Sequence, residues 1–310
     1  MIGVLAAFAA ASVGLALLWG NGQVAWPDTA VDWRIVGEIR LPRALAALVT
    51  GSLLALAGAL MQVLLRNPLA DPYVLGVSGG AAAFALAGML LGLEFVPVEL
   101  RAFAGAMVSS LIVFVLGRGR GPWSTARMLL TGVVMAAGWG ALISLMLALG
   151  DDQSLRGMLF WLMGDLSYAG VSAWWLMAPA VLLLLMMARA RSLNVLAAGE
   201  TQAALLGEAP KRRYAEIYVV ASAMTALAVA IAGTVGFVGL VVPHLMRMIV
   251  GADHRRLLPA AAIFGGAFLV LADTLARNLF SPRQLPVGVL TALVGVPLFL
   301  LLLHRSGRGR

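Results

Sequence analysis

The chain contains no cysteine, a single lysine, Lys211, and charged side chains at only 12% of its 310 positions. Without cysteine there is no disulfide framework and no thiolate metal site. A phosphate-cradling G-x-x-x-x-G-K-[ST] loop would have to use Lys211. The stretch Gly207-Glu-Ala-Pro-Lys-Arg-Arg213 lacks the second glycine and the hydroxyl, so it holds no nucleotide site of that kind. An H-E-x-x-H pair is also missing, as is any serine–lysine or aspartate pair at matched depth, which argues against an intramembrane enzyme. The apolar segments are nearly free of ionisable groups at depth, where a proton- or ion-coupled carrier or a stand-alone channel would place them. The first residues lack the basic region of a signal peptide, so the first apolar run is expected to be retained.

What is present is apolar. Hydrophobic residues make up 62% of the chain, and mean hydropathy is +0.96. Soluble domains carry about 25% charged and roughly 45–50% apolar residues, so the solvent read from this composition is lipid. The 22 basic residues exceed the 14 acidic ones and give a net charge of +8. They sit in short loops between apolar segments and form no basic groove with interleaved aromatics, which excludes nucleic acid as a partner.

Ten segments approach the length of a membrane span, about 20 residues. They are Ile2–Trp19, Arg43–Leu65, Tyr73–Leu91, Leu100–Leu116, Arg127–Leu149, Ala173–Ala188, Ile217–Ala232, Phe237–Val250, Leu257–Arg277 and Val287–Leu303. The piece Leu159–Leu166 is too short to cross and is expected to be a re-entrant or pore-side helix, since irregular backbone at depth needs protein or a water cavity around it. The fold expected is an all-α membrane protein of one permease domain over 1–310. Fifteen basic residues fall in one set of loops and seven in the other, which places both termini in the cytoplasm. The acids Asp28, Asp32, Glu38, Glu94, Glu99, Asp151 and Asp152 fall on the opposite side.

The longest cytoplasmic connection runs from Arg189 to Tyr214. Leu193, Val195, Leu196, Ala203, Leu205 and Leu206 punctuate it over about two short helices, divided by Gly199 and Gly207, and Pro210 is expected to stop the second. It is too polar to span and too apolar to be a free linker. An amphipathic face docked in a partner's groove explains both.

Several longer motifs follow in fixed order. They include Arg40-Leu-Pro-Arg43, Gly51, Gly58, Gln62, Arg66-Asn-Pro-Leu-Ala-Asp-Pro72, Leu75-Gly-Val-Ser-Gly79, Trp161-Leu-Met-Gly164 and Gly199-Glu200 with Leu206-Gly207. After them come Gly236-Phe-Val-Gly-Leu-Val-Val-Pro-His244 with Arg247, Asp253-His-Arg-Arg-Leu-Leu-Pro259, Ala272-Asp-Thr-Leu-Ala-Arg277 and Leu285-Pro-Val-Gly288. Over essentially the whole chain after the first span, this pattern resembles the FecCD family of permeases, which import iron chelates, haem and vitamin B12 in type II ABC importers.

The resemblance implies a ten-helix permease in the bacterial inner membrane, working as a homodimer. Two cytoplasmic ATP-binding subunits bind below it and a periplasmic substrate-binding protein docks above. ATP belongs to those partners. No metal or cofactor is held by the chain, and haem or another metal chelate is cargo. Gly199, Glu200, Ala203, Leu206 and Gly207, within the 192–213 loop, become the ATPase-coupling element. Arg40, Arg43 and Arg277 become docking contacts for acids of the binding protein, where a planar guanidinium suits a carboxylate; interfacial snorkelling is the plainer reading. Gln62, Asn67, Pro68, Trp161 and Gly164 are pathway or gate candidates, although the Arg66–Pro72 turn reads equally well as a structural corner. Asn67 and Asp71 can satisfy backbone amides freed there. His244 and His254 are read as capping or hydrogen-bonding groups rather than haem ligands. The Gly233, Gly236, Gly239 series and Gly76–Gly80 are expected to let helices approach closely. Gln284 stands where the family usually has an acidic residue. Haem or another iron chelate is favoured as cargo over vitamin B12.

Overall fold

The computed structural model describes residues 1–20, 22–93, 95–118, 124–167 and 173–306. Arg120, Arg308, Arg310 and Glu94 of the loop-charge count lie outside the described residues. The helices in chain order are α1 (Ile2–Leu18), α2 (Ala30–Ile35), α3 (Leu41–Leu64), α4 (Val77–Leu90), α5 (Val98–Arg118), α6 (Thr125–Leu149) and α7 (Asp152–Leu162). They continue as α8 (Ala173–Met187), α9 (Ala190–Ala197), α10 (Glu200–Leu205), α11 (Pro210–Ala232), α12 (Val238–Val250), α13 (His254–Asn278) and α14 (Val287–Ser306). A two-residue antiparallel ribbon, Trp19–Gly20 with Gln23–Val24, follows α1.

Each of the ten apolar segments is a helix. Among the described residues, five helical stretches are long and apolar enough to cross a membrane: Ala30–Leu64, α5, α6, α11 and α13. The α8–α9 pair, bent by 64°, makes a sixth, while α1, α4, α12 and α14 are shorter apolar helices.

Three boundaries differ from the sequence reading for identifiable reasons. The helical chain leading into α3 begins at Ala30 and passes through a π-helical turn, Val36–Arg40. Thr29 and Asp32 cap that start reciprocally, a capping box that an apolar-run search passes over. Of the short piece near 159–166, residues 159–162 are the last turn of α7, which starts at Asp152 with Asp151 as N-cap, and 163–166 follow the helix without being helical. Pro210 opens α11 rather than stopping α10, because a helix's first turn needs no donor from it. Instead α10 ends at Gly207 (φ 82°), where Glu208 N–H donates to Ala203 O and Gly207 N–H to Ala204 O.

The core is built around α3, which is almost wholly buried and packs most extensively on α13 and α11. Lipid tails are as apolar as leucine, so close packing and not hydrophobic expulsion holds such helices together. The backbone of α3 at Gly51 lies against Gly265 of α13, and at Gly58 against Gly239 of α12. Gly80 of α4 meets Gly105 of α5 in the same way, whereas Gly236 faces open space. At the other extreme, almost none of α6 is covered within the protomer.

Candidate functional site

The three arginines singled out at one end of the bundle are brought together, but not as free outward hooks. Arg43 leaves the first turn of α3 and is 7% exposed. Its Nε lies 3.0–3.1 Å from both Asp273 carboxylate oxygens, and Nη2 is 2.9 Å from Oδ1. Nη1 donates to Ser167 Oγ at 3.1 Å and to Gln284 Oε1 at 3.0 Å. Arg277, one turn beyond Asp273 on α13, pairs with its other oxygen at 3.3 Å and donates to Ala16 O. Arg40, half-buried, donates to Leu17 O. Most of the Arg43 guanidinium is thus engaged inside the protomer, by Asp273, Ser167 and Gln284. Gln284 contributes a neutral amide oxygen, and Asp273 is the carboxylate bonded to Arg43 and Arg277.

Trp161 and Gly164 meet the breaks before α12 and α14. Gly164 takes φ 78° and Gly233 φ 66°, and a side chain at Gly233 would strike Trp161 O. Asp165 N–H donates to Ala232 O at 3.0 Å, and Thr234 Oγ1 donates to Leu162 O. Gly288, at the start of α14, closes on Met163 O and Thr234 O. Backbone of the α7 exit, the α11 exit and the α14 entry thus shares one junction.

Gln62 and the turn after α3 separate. Gln62 is 4% exposed, and its Nε2 donates to Leu240 O of α12 at 3.3 Å. Its side chain cross-ties two helices. Asn67 and Pro68 are exposed. Asn67 Oδ1 accepts from Leu69 N–H at 2.9 Å and Asp71 Oδ1 from Tyr73 N–H at 2.8 Å, the role foreseen for both. Tyr73 in turn accepts Val235 N–H on its hydroxyl, which links this turn to the junction above.

At the same end as that turn, α9 and α10 form an elbow. Leu193, Leu196 and Ala203 face inward and are fully buried, while Leu205 and Leu206 are 83% and 71% exposed. Gly199 (φ 124°) makes the bend and Glu200 opens α10. Arg213 bridges Glu208 (3.1 Å) and Glu216 (2.7 Å), and Glu216 also holds Arg189 at 3.1 Å. That network fastens both ends of the elbow to the start of α11. Its inner side is held by Asn194, bonded to Asp253 and His254 at the start of α13. The Asn194 amide, and after it the Arg255 N–H, hold the Asp253 carboxyl below the usual carboxylate range. His254 thus serves as a hydrogen-bonded residue at a helix start. This lock has no sequence signal beyond the Asp-His dipeptide, since Asn194 lies 60 residues away. Among the described residues no group of His, Cys, Asp and Glu could hold a metal ion.

Comparison with known proteins agrees with this layout. Residues 2–305 match the FecCD transport family. The hemin transport system permease protein HmuU of Yersinia pestis is 41% identical over 320 residues, covering 99% of this chain and 94% of that one. The vitamin B12 import system permease protein BtuC of Escherichia coli O157:H7 is 40% identical over 280 residues, covering 88% and 84%. A solved structure described as an inward-facing conformation of an ABC transporter of proposed metal-chelate type superposes with TM-score 0.89 at 29% identity, covering 98% of both chains. With its multi-pass helical bundle, its buried α3 and a match along nearly its whole length, the chain belongs to the FecCD transport family of ABC importer permease subunits, which are not enzymes and leave ATP hydrolysis to partner subunits.

Proposed function

We propose that two copies of this chain enclose a pathway that moves haem or another iron chelate inward across the bacterial cytoplasmic membrane by alternating access. In this reading all ten apolar helices span, both termini are cytoplasmic, and the 192–213 elbow is the coupling element within a single permease domain. The observation that carries it is the elbow itself. Two large apolar side chains, Leu205 and Leu206, project from a loop whose other leucines, Leu193 and Leu196, are packed away, with Glu200, Ala203 and Gly207 setting their direction. Exposed leucines on a charged loop call for a covering surface, and a cytoplasmic ATP-binding subunit supplies one. Closure of two such subunits would push the elbows as rigid bodies.

At the opposite end, Arg43 and Arg277 share the carboxylate of Asp273 and Arg40 adds a third guanidinium at the rim, leaving a positive surplus that suits an acidic face on a substrate-binding protein. Arg40, at the rim, is the arginine we assign to direct docking, with Arg43 and Arg277 holding the surface behind it. The Trp161–Gly164 junction and the Asn67–Pro68 turn are assigned to the gates. Vitamin B12 is the second reading of cargo, supported by the 40% identity to a B12 permease. The test is uptake and ATP hydrolysis in proteoliposomes holding the chain, its ATP-binding subunit and its binding protein, with haem, a ferric siderophore and cobalamin offered in parallel. ATP-dependent uptake of haem or the siderophore is expected. Uptake of cobalamin alone transfers the assignment to B12, and equal uptake without the ATP-binding subunit rejects the importer reading.

A further inference from the structure

The elbow is bonded to α13 through one side chain that uses both ends of its amide. Asn194 of α9 donates from Nδ2 to Asp253 Oδ1 at 2.7 Å. Its Oδ1 accepts the backbone N–H of His254 at 2.9 Å and lies 2.6 Å from His254 Nδ1. The carboxylate can only accept and the backbone N–H can only donate, so the amide orientation is fixed and the His254 proton sits on Nδ1. His254 is 2% exposed. Removing Asn194 would leave two buried donors unpaired, the costly kind of loss.

From there α13 runs without a helix break to Asp273, nineteen residues or roughly 29 Å on. It is tied to α3 along that length by the Gly51–Gly265 contact, by Ser52 Oγ donating to Ala262 O at 2.8 Å, and by the Arg43–Asp273 pair. Arg43 in turn holds Ser167 and Gln284 at the far end. A close-packed pair of helices shifts as a unit rather than bending.

We propose that Asn194 is a positioning residue through which displacement of the elbow is passed to the α3–α13 pair, and by it to the Arg43 cluster at the opposite mouth. This inference rests on the importer reading. Linked sites of this kind are coupled typically five- to 150-fold.

The experiment uses the complete complex in proteoliposomes, with haem as probe if it is the cargo taken up, and otherwise whichever chelate is. In Asn194→Ala, uptake per ATP hydrolysed is expected to fall at least about fivefold. The paired substitution Asn194→Cys with Asp253→Cys, in a chain that has no other cysteine, supplies an internal control. Reduced, it should behave as Asn194→Ala; oxidised to the disulfide, it should regain coupling in the same preparation. Unchanged uptake per ATP in Asn194→Ala overturns the proposal. Should Asn194→Ala fail to assemble, the cysteine pair decides, and equal coupling in its two redox states overturns it. Parent complex that shows no ATP-dependent uptake at all would instead reject the importer reading.

Discussion

Arg43 and Asp273, 230 positions apart in sequence, form a two-point ion pair buried between α3 and α13, with three nitrogen–oxygen separations of 2.9–3.1 Å. A buried pair of this kind adds little against a well-packed apolar replacement, yet losing one partner strands a charge. Asp273→Ala should therefore lower stability by about 3–5 kcal/mol, read as a drop in the thermal midpoint of the detergent-purified protein. Arg43→Lys keeps the charge but loses the fork, so it should fall between that variant and the parent. An unshifted midpoint for Asp273→Ala would show that the pair is not closed in the folded protein.

Gln284→Glu tests the charge balance of the same cluster. It places a second carboxylate beside Arg43, where Arg43 and Arg277 share one. The expected outcome is a higher thermal midpoint that shrinks with added salt, together with weaker capture of the binding protein. A lower midpoint would contradict the surplus of positive charge.

Leu206 tests the elbow as a docking face. Because it is 71% exposed, Leu206→Asp should leave the thermal midpoint of the isolated permease unchanged. Binding to the ATP-binding subunit should weaken by about 2 kcal/mol or more, the loss expected at a central interface position. Titration of the two detergent-purified subunits against each other measures this directly. Binding at parental strength would remove Leu206 from the interface.

Gly233 tests the junction that holds Trp161 and Gly164. At φ 66°, with Trp161 O in the space a side chain would need, Gly233→Ala combines backbone strain with a clash. A loss of at least about 1 kcal/mol is expected. Gly236→Ala, three residues on and facing open space, is the matched control and should be near neutral.

Asp253 gives the elbow a dependence on acid. Its carboxyl is held below the ordinary range by Asn194 and the Arg255 N–H. A lowered native value means the contribution is intact above the usual carboxylate range and disappears as pH falls through that range to the native value. Hydrogen exchange across Ala190–Ala197 should therefore quicken in acid in the parent, beyond the intrinsic pH trend. In Asp253→Asn it should be faster already at neutral pH, with the acid step gone.

Sequence patterning located all ten apolar helices, because lipid-facing and core-facing positions are both apolar and produce long runs. It misplaced the starts of α7 and α11, where other residues precede the apolar run: the N-cap Asp151 for one, a first turn of Pro210 and three basic residues for the other. It foresaw that Asn67 and Asp71 would close the turn after α3, since those bonds are local. It also divided the elbow at Gly199 and Gly207, where a positive φ favours glycine. Arg43 shows where such reading stops. Counting charges by loop assigns an arginine to one end of the bundle, but its partner sits ten helices later, and no local pattern announces Asp273. The bonds of Gln62 and Asn194 escape it for the same reason, because Leu240 and His254 reach them only through tertiary packing.

The long separation of Arg43 from Asp273 also bears on how the chain is made. Translation at roughly 5–20 residues per second takes about 10 to 50 seconds to cover those 230 positions. Throughout that interval α3 is synthesised and α13 is not, so an arginine destined for a buried ion pair must wait at the membrane border without its counter-ion. Its place in the first turn of α3 lets the side chain reach water during the wait, and the same side chain turns inward when the thirteenth helix arrives.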